Sequence, residues 1–92
     1  MKITRAAIKF KHLNSSIYNP EEYNIKIGWR HSDIFREMYK ENIIYDRNDY
    51  EMGFITDERP IHFVNRQEAA KIAYKSGQIS KPKEVLYSED LW

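Results

Sequence analysis

The stretch from Gly53 to Ile79 constrains the fold of this chain most. Its alternating apolar residues predict a strand over Tyr50–Thr56, a turn over Asp57–Pro60 and a second strand over Ile61–Val64. Because a glycine inside a strand often marks a bulge or a close approach of another backbone, Gly53 predicts one of these features. The two strands joined by one turn therefore predict an antiparallel pair.

The same stretch ends in a helix with clear start and stop signals. Asn65 is a good N-cap, and Glu68 at the third helical position completes a capping-box pattern. Gly77 is a natural stop. The apolar stripe of this helix consists of Ala69, Ile72 and Ala73. Small residues on this stripe predict close packing against a sheet or a second helix.

The first part of the chain predicts two further strands. Apolar residues alternate with polar ones over Lys2–Lys11 and Tyr23–Ile27, which is typical of half-buried strands. Between them, Asn14–Ser16 predicts a loop and Asn19-Pro20 a turn. We expect these two strands to form a hairpin with a long connection.

A first helix is predicted after Gly28, which ends the second strand. Ser32 or Asp33 can cap it, and the helix is expected to fade near Glu41-Asn42. Its apolar face consists of Ile34, Phe35, Met38 and Tyr39. The following residues Asp46–Asp49 predict a polar turn.

Composition limits the classes of protein that fit. A length of 92 residues predicts one domain, residues 1–92. The predicted strands and helices place it in the α+β class, as a small antiparallel β-meander packed with two helices. Because so small a domain often gains stability by self-association, we expect it to be oligomeric. Absent cysteines exclude disulfides, and three histidines without ligand spacing predict no metal site. A net charge of +1 argues against a general nucleic-acid binder. No apolar run predicts a membrane span or a signal peptide, so we expect a soluble cytoplasmic protein.

The sequence offers no pattern for catalysis or a cofactor. It contains no nucleophile with a neighbouring base and no glycine loop for phosphate. The carboxylates in Ser88–Asp90 lie near the chain end, where such groups are usually solvated or paired with cations. A hydrolase would need acid–base groups brought together from distant segments of the chain. We expect Trp92 to dock on this protomer or on a neighbour.

Two helix starts are candidate anion sites. Arg30 and His31 precede the first helix, where unpaired N–H groups and an arginine fork suit a phosphate. The alternative is an arginine paired with a surface carboxylate and a histidine serving as a cap. Asn65 and Arg66 open the second helix and offer a second contact for phosphate or ribose, although capping alone also explains Asn65.

Two aromatic residues flank the turn between the predicted strands. Phe54 and Phe63 provide rings on which a base can stack if they are exposed. The alternative is that both belong to the core. His62 is expected on the face opposite Phe63, because side chains alternate along a strand.

Five segments together resemble one family, the phage anti-Thoeris proteins of the first described type. They run in the family's order and cover nearly the whole chain: ITRAAIKF (Ile3–Phe10), RHSDIF (Arg30–Phe35), GF (Gly53-Phe54), HFVNRQEAAKIAYKSGQI (His62–Ile79) and LYSEDLW (Leu86–Trp92). The turn after GF, with Asp57, Glu58 and Pro60, differs from the family's usual short turn.

The resemblance implies a sequestering protein of the host bacterial cytoplasm and not an enzyme. Such proteins bind, intact, the glycocyclic ADP-ribose isomer that a TIR enzyme makes in the Thoeris defence, in pockets between the protomers of a homodimer. Some members are hexamers, trimers of dimers, that also hold cyclic di- or trinucleotides of the CBASS defence. The resemblance assigns ligand contacts to Arg30, His31, Phe54, Phe63, Asn65 and Arg66. It implies no cofactor, no nucleic-acid partner and no membrane partner.

Two other functions fit the residues. A small phosphodiesterase or glycohydrolase would cleave the signal instead of holding it. A protein-binding inhibitor of a host defence enzyme would use the aromatic surface and the acidic chain end.

Overall fold

The computed structural model describes residues 1–13, 23–60 and 62–92. The elements are β1 (Ile3–His12), β2 (Asn24–Gly28), α1 (His31–Lys40), β3 (Tyr45–Thr56), β4 (Phe63–Asn65) and α2 (Arg66–Lys75), followed by a short 3₁₀ turn at Ser88–Asp90. In this part of the chain, neither helix has the length and apolar character that crossing a membrane requires.

The four strands form one antiparallel sheet in the order β2-β1-β3-β4. The predicted α+β class, with an antiparallel sheet and two helices, is confirmed, and so is the pairing of the first two strands. The order departs from a simple meander, because β3 pairs with β1 and not with β2. Helix α1 makes the connection that carries the chain from β2 past β1 to β3.

Both helices pack on one face of the sheet. β1 directs Ala6, Ile8 and Phe10 towards them, and together with the helices these residues form the core. The buried apolar residues of the helices are Ile34 and Met38 of α1 and Ala69, Ala70 and Ala73 of α2. The alanines let α2 lie close to the sheet, as their small size predicts.

Gly53 lies at a close approach of two strands. A Cβ atom at this position would collide with the carbonyl oxygen of Val64 and with the ring of Phe63, whose Cε2 is 2.7 Å away. The predicted close approach is therefore confirmed, and it brings β4 tightly against β3.

The ends of α2 follow the sequence signals. Asn65 Oδ1 accepts a hydrogen bond of 2.8 Å from the backbone N–H of Glu68. Gly77 has φ +80, and the N–H of Gln78 reaches back 2.8 Å to the carbonyl of Ala73. These bonds satisfy helix-end groups that would otherwise lack partners.

The start of α1 differs from the prediction. The helix begins at His31, with Arg30 at the N-cap position and no side-chain capping bond. Ser32 and Asp33 lie within the first turn, so the prediction that one of them caps α1 is wrong. The helix ends at Lys40 as expected, and Asn42 adopts φ 56 just beyond it.

β3 is longer than predicted. Residues Asp46–Asp49, predicted as a turn, lie within the strand. β1 pairs Phe10 with Tyr50 but His12 with Tyr45, so the register shifts across this polar segment. Pairing with the long central strand β1 keeps the segment in the sheet. Three predictions lie outside the described residues: the loop at 14–16, the turn at 19–20 and the first residue of the strand at 61–64.

Candidate functional site

The last seven residues, 86–92, connect the starts of both helices, and we call them the tail. Leu86 is fully buried, and its N–H donates to the carbonyl of Arg66 over 3.0 Å. The hydroxyl of Ser88 accepts from the N–H of His31 over 3.4 Å. The tail therefore holds the N-terminal end of α1 and that of α2 in one region.

His31 anchors α1 to the centre of the sheet. Its Nε2 donates a hydrogen bond of 2.8 Å to the carbonyl of Gly53, and its ring meets the edge of Phe54 at 5.1 Å between centroids. Burial lowers the pKa of His31 below 6.5, and the Arg66 guanidinium lowers it further, against the effect of the Gly53 carbonyl. His31 is thus a neutral anchor at pH 7, and its proton is already committed to the Gly53 carbonyl.

Arg66 places a cation at this junction. It is the first residue of α2, it is half-buried, and its Cζ lies 5.5 Å from the ring centroid of Tyr87. It also lines an open depression of about 430 Å³ together with Tyr50, Glu51, Met52 and Gln67. An arginine on the positive end of a helix favours a bound anion.

A second cation–aromatic group lies where β2 leads into α1. The Arg5 guanidinium sits 3.6 Å from the ring centroid of Trp29, and Trp29 contacts Trp92 edge-on at 5.7 Å. As a whole residue, Trp29 is still 52% exposed. The prediction that Trp92 docks is confirmed on this protomer. Trp29 immediately precedes Arg30, which is exposed at the N-cap of α1.

Sequence reasoning missed Arg5 and Trp29. β1 pairs Ala6 with Gly28, which places Arg5 beside Trp29. The one signal in the sequence was the position of Trp29 directly after Gly28, which ends β2. That position does not indicate which residue Trp29 contacts.

The two phenylalanines do not form a pair. Phe54 is fully buried on the helix-covered face, beside Val64 in the register. Phe63 is half-buried and lies opposite Ile55, on the other face of the sheet, 5.8 Å from the Nζ of Lys9. The interpretation of Phe54 as a stacking platform is wrong, because its ring has no face open to a base; core packing is its role.

The predicted site residues thus fall into two groups. The structure brings His31, Asn65 and Arg66 to the junction held by the tail, and it places Arg30 next to His31 in the chain with an exposed side chain. Asn65 uses its Oδ1 for the helix cap. Within residues 1–13, 23–60 and 62–92, no group of three or more His, Asp or Glu side chains is arranged to hold a metal ion.

One protein-family model, described as phage T4 y16D protein, matches residues 2–92. The chain belongs to the phage T4 y16D protein family. No curated protein and no solved structure matches it. Membership of this family makes it a phage protein, and the junction of tail and helices is part of the region that the family model covers.

Proposed function

We propose that this member of the phage T4 y16D family binds a cyclic ADP-ribose signal and holds it without cleavage. The signal is the glycocyclic ADP-ribose isomer that a TIR enzyme of the host makes in the Thoeris defence, and its capture in the host cytoplasm prevents activation of the effector. The resemblance of the five segments to anti-Thoeris proteins names the ligand. The observation that carries the proposal is the junction of both helix starts with Arg66.

The junction suits the pyrophosphate of the signal. The helix dipoles of α1 and α2 place partial positive charge at their first residues, and Arg66 adds a full charge with a planar fork. His31 is held neutral and bound to Gly53, so it supplies shape and not charge. Arg30, exposed at the start of α1, is available to the same ligand.

The adenine ring needs a flat partner, and Trp29 offers one. The residue is about half exposed, and the Arg5 guanidinium already lies against its ring. Stacking of a base on an aromatic side chain contributes about 1–3 kcal/mol. We therefore assign to Trp29 the stacking role first expected of Phe54, which is buried.

Two potential acid–base groups near the junction, Asp90 and His31, are engaged in local hydrogen bonds, which favours holding the ligand over cleaving it. The carboxylate of Asp90 accepts from Lys83 Nζ at 2.7 Å and from the N–H of Tyr87 at 2.8 Å. His31 is committed to Gly53. These potential acid–base groups thus serve the local structure.

A protein that acts without turnover must bind its ligand tightly. It needs a submicromolar Kd, which corresponds to a binding free energy of about −8 to −12 kcal/mol.

Titration calorimetry with the purified cyclic ADP-ribose isomer tests the proposal. Arg66→Ala and Trp29→Ala should each weaken binding by about tenfold or more, since each removes a charged or stacked contact. Lys71→Ala, an exposed lysine in the middle of α2, is the matched control and should bind as the parent does. Parental affinity in both site variants, with unchanged circular dichroism, would refute the assignment of the pocket.

A further inference from the structure

The face of the sheet away from the helices carries a row of exposed apolar side chains along β2. Ile25 is 46% exposed, Ile27 is 45% exposed, and Tyr23, which directly precedes β2, is 44% exposed. An edge strand is commonly protected by charged side chains. The one lysine of β2, Lys26, lies on the helix side instead, where its Nζ is 2.9 Å from a carboxylate oxygen of Glu41. The outer row of β2 is therefore apolar and uncharged.

Lys9 of β1 lies beside this row, between two aromatic rings. The register sets it next to Ile25 on the same face. Its Nζ is 4.9 Å from the ring centroid of Tyr23 and 5.8 Å from that of Phe63. The Phe63 ring reaches this position because it lies against Gly53, which has no side chain. Lys9 is half-buried, so the two rings hold its ammonium at one place on the face.

No anionic partner accompanies this ammonium. Among the residues that the structure describes, no carboxylate forms an ion pair with Lys9. Lys11, the next lysine of β1, is paired with Asp49 at 3.4 Å, whereas Glu51, opposite Lys9 in the register, forms no such pair. A partly desolvated ammonium gains more from a carboxylate than an ammonium in water does. The face thus presents one fixed positive charge beside an apolar row.

The size of this face fits a short peptide. Tyr23 and Ile27 are about 14 Å apart along the strand, and β2 and β4 are also about 14 Å apart across the sheet. The face therefore covers about 200 Å². Two folded proteins in a stable complex bury about 800 Å² on each side, which is much more. An extended segment of about five residues is sufficient to cover the face.

We propose that this face, made by Lys9, Tyr23, Ile25, Ile27 and Phe63 and called the Lys9 face below, binds a short acidic segment of a partner protein. A carboxylate of the segment accepts from Lys9 Nζ between the two rings. Branched apolar side chains of the segment pack on the two isoleucines. The inference stands independently of the proposed nucleotide ligand.

A peptide fits the Lys9 face better than a nucleic acid does. Bases stack on flat rings, whereas the middle of the apolar row consists of Ile25 and Ile27. The phosphates of a nucleic acid would also meet the carboxylates of Asp49 and Glu51 beside the lysines of β1. Apolar side chains with one carboxylate avoid both conflicts.

Panning of a random heptapeptide library against the purified chain tests the proposal. The enriched peptides should share a Glu or an Asp beside branched apolar residues. Panning against Lys9→Glu in parallel should enrich Lys or Arg in place of that acid, because the charge on the face is reversed. Such a reversal requires contact with residue 9, and a general change in folding would not produce it.

Fluorescence anisotropy with the most enriched peptide measures each contact. Lys9→Met keeps an apolar stem and removes the charge, so it should weaken binding about tenfold. Ile27→Thr keeps a branched strand residue but loses apolar area, so it should weaken binding about fourfold. Lys71→Met, the same change at an exposed lysine of α2, is the matched control and should bind as the parent does. Circular dichroism checks that every variant folds.

The proposal is overturned if no peptide is enriched, if the enriched peptides lack an acid, or if Lys9→Met binds as the parent does. Binding of oligothymidine that Lys9→Met abolishes would assign the face to a nucleic acid and would also overturn it. So would self-association of the parent that Ile27→Thr abolishes, because a second copy would then occupy the face. Weaker binding in both variants, together with the charge reversal in Lys9→Glu, supports the proposal.

Discussion

Replacing Gly53 with alanine should loosen the contact that joins β3 to β4. The added methyl group would collide with the Val64 carbonyl oxygen, which belongs to the backbone of β4 and cannot rotate away. Overpacking of this kind costs about 1–3 kcal/mol. Since β4 leads directly into α2, the same collision displaces the start of that helix.

Gly28→Ala supplies the matched comparison. A methyl group there would meet Ile34 Cγ1 at 2.8 Å, and this atom belongs to a side chain that can change rotamer. Both substitutions gain similar backbone stability from replacing a strand glycine, about 0.5–1 kcal/mol. The difference in the free energy of unfolding between the variants therefore isolates the collision with the Val64 backbone at Gly53. We expect this difference to be about 1–2 kcal/mol.

Thermal unfolding followed by far-ultraviolet circular dichroism measures this difference. For a domain of this size, 1 kcal/mol corresponds to about 4–8 °C, so Gly53→Ala should melt roughly 5–15 °C below Gly28→Ala. If Gly53→Ala melts at the same temperature as Gly28→Ala or above it, the close approach of β4 does not contribute as argued.

Two further predictions concern the junction and the helix cap. The pKa of His31 is lower in the folded than in the unfolded chain, so its contribution to stability is full above about pH 6.5 and is lost as the pH falls towards the folded value. Urea unfolding at several pH values should show this loss in the parent and not in His31→Gln; equal pH dependence would contradict it. Asn65→Ala should cost about 1 kcal/mol in the same assay, whereas Asn65→Asp should retain most of the stability, and an unchanged Asn65→Ala would show that the cap contributes nothing.

Local signals in the sequence predicted the elements that depend on neighbouring residues. The cap at Asn65 and the stop at Gly77 fixed both ends of α2, and the alternation over Lys2–Lys11 located β1. The chain end also docks as expected, with Trp92 against Trp29. These patterns act within a few positions of each other, so a single sequence contains them.

The features that were missed depend on pairing between distant residues. Asp46–Asp49 has turn composition, yet the ladder with β1 holds it in β3. The register of β3 with β4 decides on which face of the sheet Phe54 and Phe63 lie. Alternation along one strand does not show which of its two faces is covered by the helices. The contact of Arg5 with Trp29 requires the register of β1 with β2. None of these registers can be read from one chain segment.

Recovery of the bound molecule tests the proposed function most directly. The purified chain is incubated with the signal made by a TIR enzyme, filtered to remove free ligand, and denatured by heat, and the released molecule is identified by mass spectrometry. Capture without turnover predicts release of the cyclic ADP-ribose isomer chemically unchanged. Release of a cleaved product, or of no nucleotide at all, would contradict the account.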